Sequence, residues 1–301
     1  MTFATWSQTA ASNTAVGGIS TDGNVTLVNQ IDNMFRGMMA ELAVARDDGT
    51  IKATGGRGYL HGLTLSNNVS DATNDIDIAV GECAAENSPY WKIALASALT
   101  KRLDAAWAVG TGNGGLDTGA IANTTYHVWL IQRSDTLVVD ALFSASATSP
   151  TMPANYDRKR RVGSILRESA VIVPFSQNGN TFQRITPLVQ YTVTTTTTSQ
   201  LRAFNVPTGI IVAPIISWSV VGDTSSVMAG SLGSAAVGVA NLTIITTGST
   251  GVSSREVNLV PPIFFTNTSA QIYHLQVVSA GTLSASNVIN HGWTDTRGRD
   301  A

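Results

Sequence analysis

Cysteine is almost missing from this chain: Cys83 is the only one in 301 residues. That excludes an intrachain disulfide and fits folding in a reducing compartment. Charge is scarce as well. Asp, Glu, Lys and Arg make up 13% of residues and leave a formal net charge of −2, so no global field exists to attract DNA or RNA. The four histidines, His61, His127, His274 and His291, have no second His, Cys or carboxylate at metal-ligand spacing, and neither a metal nor another cofactor is expected. No glycine-rich loop ends in Gly-Lys-Ser/Thr. Apolar runs such as Gly209 to Ile216, which contains Pro214, fall far short of the ~20 residues of a membrane helix, so no membrane insertion is expected. Met1 to Trp6 lacks the basic and apolar regions of a signal peptide.

What is present is a chain with 43% apolar residues and 27 glycines, long enough for two or three domains. A low-charge exterior favours association, so much of the surface is expected to be covered by copies of the chain or by partners. The fold class expected is mainly β: an N-terminal extended arm and short helix, followed by β-sandwich-like modules. The divisions fall at 1–48, 49–188 and 189–301.

Residues 1–23 read as a polar arm with two aromatics, Phe3 and Trp6. The arm is either a frayed terminus or a segment that orders when Trp6 docks on a neighbour. From Asn24 to Asp48 the spacing predicts a helix, with Asn24 as cap and Leu27, Ile31, Met34, Phe35, Met38 and Leu42 on one stripe. Ile31, Phe35 and Met38 either pack within one subunit or bundle with their copies around an axis.

Glycines at 55, 56, 58 and 62 mark a strand-and-turn region, and Cys83 to Trp107 reads as either a short helix or two strands. Gly110 to Gly119 reads as a loop. Tyr126 to Ile131 and Leu137 to Phe143 alternate as a hairpin around Ser134-Asp135. Further strands are expected at Arg161 to Leu166 and Ala170 to Phe175, with a type I′ turn at Asn178-Gly179. Beyond Val189 the strand candidates are Tyr191 to Thr198 with its five consecutive threonines, Gly209 to Val221, Ser234 to Thr246, Glu256 to Phe265 and Gln271 to Val278. Gly292 to Asp300 reads as a polar close.

The most unusual local feature is the run Arg158, Lys159, Arg160 and Arg161 in a chain with 18 Lys plus Arg. Strand alternation sends Arg158 and Arg160 one way and Lys159 and Arg161 the other, which splits the patch. Pairing with carboxylates such as Asp157, within the chain or across a subunit contact, is preferred to a solvated face or a phosphate site. Asp71, Asp75 and Asp77 are close enough to suggest a carboxylate pair or a calcium site, but Asp/Asn turns explain them at least as well. In the distal region Trp218 and Tyr273 are either core residues or ligand contacts, since aromatic faces suit sugar rings.

Three segments together carry a resemblance. Thr124-Thr125-Tyr126-His127-Val128-Trp129-Leu130-Ile131, Val139 to Ser144, Pro150 to Tyr156 and Lys159 to Ile165 resemble a segment of tail-fibre and related appendage proteins of tailed bacteriophages. Trp6 to Asn13 with Met34 to Ala40 is similar to the virion-proximal start of such proteins, and Gly292 to Arg299 to their ending. The resemblance implies a homotrimer in the virion, an N-terminal region attached to other virion proteins of the tail, baseplate, collar or capsid, and a distal region that contacts a host surface glycan. It also implies that the basic run belongs to a structural β module and that the chain is not an enzyme. Two rivals remain: a glycan depolymerase using Asp71, Asp75, Asp77, Asp223 and Glu256, and a purely structural collar or decorating protein.

Overall fold

The computed structural model of the chain describes residues 9, 15–16, 19–20, 35–44, 56–86, 90–223, 225–235, 239–247, 253–259 and 264–299. They are mainly β. Strands β1 (Ala15–Val16) and β2 (Ile19–Ser20) pair as a hairpin, and helix α1 covers 35–44. Trp6 and Ile31, with the rest of the expected helix, lie outside the described residues. In α1 the buried pair is Met39 and Ala43, while Phe35 and Met38 are 46% and 48% exposed. The covered face is thus turned away from the expected stripe.

Next come β3 (Leu60–Gly62), β4 (Leu65–Asn67), β5 (Asp75–Ile78), β6 (Gly81–Ala84), β7 (Lys92–Leu95), β8 (Leu99–Ala106), β9 (Asn113–Leu116), β10 (Thr125–Arg133), β11 (Val139–Ser144), β12 (Tyr156–Glu168) and β13 (Val171–Ile172). They make an eight-stranded sheet in the order β13-β12-β10-β11-β9-β8-β5-β4 and a three-stranded sheet β3-β6-β7. The helix-or-strand ambiguity around 92–106 resolves to two strands with alternating burial. The glycine-rich stretch is not all loop: β9 lies within it, parallel to β8 and β11. Glycine fits there because a Cβ at Gly115 would stand 2.8 Å from the Phe143 ring.

The last elements are β14 (Phe175–Asn178), β15 (Thr181–Thr192), β16 (Gln200–Ala203), β17 (Ala213–Gly222), β18 (Val227–Ser234), β19 (Val239–Thr247), β20 (Ser253–Leu259), β21 (Gln271–Ala280) and β22 (Leu283–Thr294). They form a five-stranded sheet β14-β15-β22-β17-β20 and a four-stranded sheet β16-β21-β18-β19. The β14–β15 turn is displaced by one residue from the expected Asn178-Gly179. Asn178 pairs with Thr181, so Gly179 and Asn180 form the loop. Only Gly179 of that pair has positive φ, at 58°, the pattern of a type II′ turn.

The threonine run is not a strand. β15 ends at Thr192, and the threonines then lie along the half of β21 that β16 leaves uncovered. Thr197 donates its backbone N–H to Gln276 O at 2.8 Å, and the Thr196 and Thr197 hydroxyls accept from the Val278 and Gln276 backbone N–H groups, each at 3.0 Å. Hydroxyls thereby occupy ladder positions on an otherwise open edge.

One hydrophobic cluster runs from Leu60 in β3 to Trp293 in β22. Phe182 and Trp293 stack within it at 5.5 Å between centroids. β15 passes through the 188/189 boundary drawn from the sequence, and β22 pairs with it from Thr294 opposite Thr181 to Asn287 opposite Thr192.

Candidate functional site

The basic run lies on β12, next to β10. Register shifts by one residue there: Val128 faces Gly163 but Trp129 faces Arg161. Val162 is therefore the extra residue of a bulge, and from Arg160 to Leu166 both faces of the strand are buried. Lys159 follows the expected split: its Nζ sits 4.7 Å from the centre of the Trp129 ring and donates to Thr148 O at 2.6 Å. Arg158 stacks over Trp91 at 4.4 Å and donates to Gln132 Oε1 at 3.1 Å.

Arg160 and Arg161 are buried. Arg161 forms a two-pronged ion pair with Asp295 at 2.6 and 2.9 Å and donates to Ser164 Oγ at 3.1 Å. Arg160 Nη2 donates to Arg297 O at 3.4 Å, and its Nε is buried without an acceptor. Asp157 takes no part in these bonds and instead accepts from the Ser134 backbone N–H at 2.9 Å. The pairing of Arg161 is thus within one chain, with a carboxylate 134 residues away.

That carboxylate belongs to the C-terminal stretch, which is not a polar surface tail. Asp295 and Arg297 are 1% and 2% exposed. Arg297 Nε donates to Val162 O at 2.6 Å and its Nη2 to Leu63 O, while Arg299 reaches Leu60 O at 3.1 Å. Burial lowers the Arg297 guanidinium to about 10. Hydropathy alone gave no warning of this, because a buried arginine satisfied by carbonyls reads as a solvated one.

His127 completes the cluster. Its Nδ1 lies 2.9 Å from Ser164 Oγ. Burial, aided by the Arg161 charge, pushes the imidazole down to about 4. A Ser–His pair is the start of nucleophilic catalysis only where a substrate reaches it; here both residues are 0% exposed. Cys83 is also buried, and desolvation raises its thiol to about 12.

The aromatic pair separates. Trp218 is 1% exposed, donates from Nε1 to Ser286 Oγ at 2.9 Å and packs on His274 at 5.4 Å between centroids. It is therefore a core residue with its polar atom satisfied, not an exposed ligand contact. Tyr273 is half-buried on β21, between the buried Ile272 and His274, and so lies on the opposite face of that strand.

Three of the candidate carboxylates are spent locally, while Asp75 Oδ1 is buried without a hydrogen-bond partner. Asp71 Oδ1 accepts from the Thr73 and Asn74 backbone N–H groups, Asp77 Oδ1 from Asn68 and Thr100, and Asp223 from Ser225, Ser226 and Thr282. Burial, with the Asp71 charge, raises the Asp75 carboxyl. Among the described residues no group of three His, Cys, Asp or Glu is arranged to hold a metal, and no helix is long and apolar enough to cross a membrane.

No family model matches this sequence, and no curated protein does. Among solved structures the chain is similar to the infectious bursal disease virus VP2 subviral particle, with 13% identity over 82% of this chain and 75% of that one, at a TM-score of 0.20. It is also similar to the infectious bursal disease virus Gx strain structure, with 11% identity over 78% and 72% of the two chains, at a TM-score of 0.18. Scores at that level lie far below those of a shared fold, so neither strand path nor assembly carries over.

Proposed function

We propose that this chain is a structural component of a tailed-phage virion, a tail-fibre or spike-like homotrimer attached through its N-terminal region and contributing to host-surface binding. The observation that supports it best is where the polar chemistry has gone. The segment from Thr124 to Arg167, which bears the resemblance to phage appendage proteins, sits at the centre of the fold. Its histidine, His127, with Ser164 and two of its four consecutive basic residues, is buried in bonds that hold strands together. On this reading the module is scaffold, without catalytic activity.

Phe35 and Met38, two of the three exposed large apolar residues of α1 with Val44, suit attachment, since the described part of the chain leaves them uncovered. Three copies on one axis would present three weak surface sites at high effective concentration.

Light scattering on the purified full chain is expected to give three times the 31.5 kDa chain mass, and cryo-electron microscopy of virions to place it on the tail. Incubation with host polysaccharide is expected to give retention without release of reducing ends. A monomer that neither assembles nor adheres overturns the proposal, and reducing-end release replaces it with the depolymerase.

A further inference from the structure

The β12–β13 hairpin ends the eight-stranded sheet where the five-stranded sheet begins. Glu168 faces Val171 across this hairpin, and Phe175 faces Arg184 across the next. A cleft of about 250 Å³ opens between the two hairpins. Val171, Val173 and Pro174 supply apolar surface, and Ser169 and Thr186 supply hydroxyls. Glu168 and Arg184 line it as an ion pair, Nη1 to Oε1 at 3.1 Å and Nη2 to Oε2 at 2.8 Å.

The pair is unevenly exposed: the Arg184 side chain is 7% exposed, the Glu168 side chain 30%. Asn205 Nδ2 also donates to Glu168 Oε1, at 3.0 Å. Burial pushes the Glu168 carboxyl up, but Arg184 and Asn205 outweigh it and hold it below its ordinary value. Even so, a carboxylate has roughly four lone-pair sites, and these three bonds leave acceptor capacity on its exposed side. Arg184 Nε is buried without an acceptor and is as closed to a ligand as to water, so the donors the guanidinium offers the cleft are the Nη hydrogens not spent on Glu168.

We propose that this cleft binds one neutral pyranose unit of a surface polysaccharide. It lies below the roughly 300 Å³ at which drug-sized pockets begin, which limits the occupant to about one ring. The ion pair is neutral as a unit, so an anion meets Glu168 and a cation meets Arg184, whereas a vicinal diol both donates to the carboxylate and accepts from a guanidinium. The valines and Pro174 face the C–H side of a ring. The site rests on the surface-binding part of the proposed function and replaces Trp218 as its contact.

The test titrates methyl hexopyranosides into the full-length protein, observed by saturation-transfer NMR, with N-acetylneuraminic acid and glucosamine as charged comparisons. Binding of a neutral glycoside is expected, weakened about tenfold or more in Glu168→Gln, the scale of one lost charged hydrogen bond. Val171→Phe, which fills the cleft from a 38% exposed position opposite Glu168 while leaving both charged groups of the ion pair in the sequence, is expected to abolish it. Unfolding curves confirm that both variants fold. Unchanged binding in Val171→Phe, or preference for a charged sugar, overturns the site. Retention of the protein on host cells with no response to any glycoside overturns the cleft alone, and loss of both overturns the surface-binding reading with it.

Discussion

Arg161 and Asp295 stand 134 residues apart in sequence and meet in a two-pronged, buried ion pair. Asp295 also accepts from the Arg297 backbone N–H at 2.8 Å. One carboxylate thus fixes both the bulged strand β12 and the turn that carries Arg297 into the carbonyls of Leu63 and Val162.

Removing one partner leaves the other charge buried and uncompensated, which typically costs ~3–5 kcal/mol. Asp295→Asn is expected to lower stability by about that amount in urea unfolding. Replacing the pair together, as Arg161→Met with Asp295→Leu, is expected to recover part of the loss, the Arg297 backbone N–H still lacking its acceptor. A loss under ~1 kcal/mol in Asp295→Asn would show that the pair is solvated.

Two histidines set the acid limit. His127 and His274 are both buried and both pushed down to about 4, chiefly by desolvation, with Arg161 and Arg202 respectively adding to the effect. Unfolded imidazole titrates near 6.5, so the unfolded chain binds protons first. Stability is therefore full above about pH 6.5, falls as pH drops toward 4, and for His127 the loss amounts to ~3 kcal/mol. Urea midpoints measured from pH 7.5 to 4 are expected to fall in that window, and to fall less in His127→Gln. Midpoints that stay level across the window would mean these imidazoles are not buried neutral.

The β-rich class and most strand positions from Tyr126 to Phe143 are readable from alternation, because there apolar side chains face a core. β22 is not. Its inward positions include Ser286 and Asn290, buried by hydrogen bonds to Trp218, Gln276 and the Asn205 carbonyl. A strand whose core face is partly polar has no hydropathy signature, yet β22 is the middle strand of its sheet. The same holds at the cleft, where Glu168 and Arg184 lie 16 residues apart and only the pairing of two successive hairpins brings them together.

The turn that closes β12 onto β13 is strained. Ser169 and Ala170 adopt φ of 48° and 66°, left-handed values that Asn-Gly fills at little cost. The turn is held by Asn123 Oδ1, which accepts from the Ala170 backbone N–H at 2.8 Å. Replacing the pair by Asn-Gly is expected to raise stability by ~1 kcal/mol in thermal unfolding. A decrease would mean that the Ser169 and Ala170 side chains contribute more than their backbone strain costs.

Trp218 gives the sharpest check on the distal core. A Cβ added at Gly230 would stand 2.2 Å from Trp218 Cη2 and 2.8 Å from Cζ2, and the ring cannot retreat because its Nε1 is tied to Ser286 while its face meets His274. Gly230→Ala is therefore expected to destabilise by ~1–3 kcal/mol, the range for overpacking a filled core, with a shift in near-ultraviolet circular dichroism from the displaced indole. Gly112→Ala is the control for space: nothing lies within 4 Å of its added Cβ, although its φ of 74° carries a backbone cost of its own. An unchanged near-ultraviolet signal in Gly230→Ala, with stability intact, would mean that the core around Trp218 has room for the added methyl.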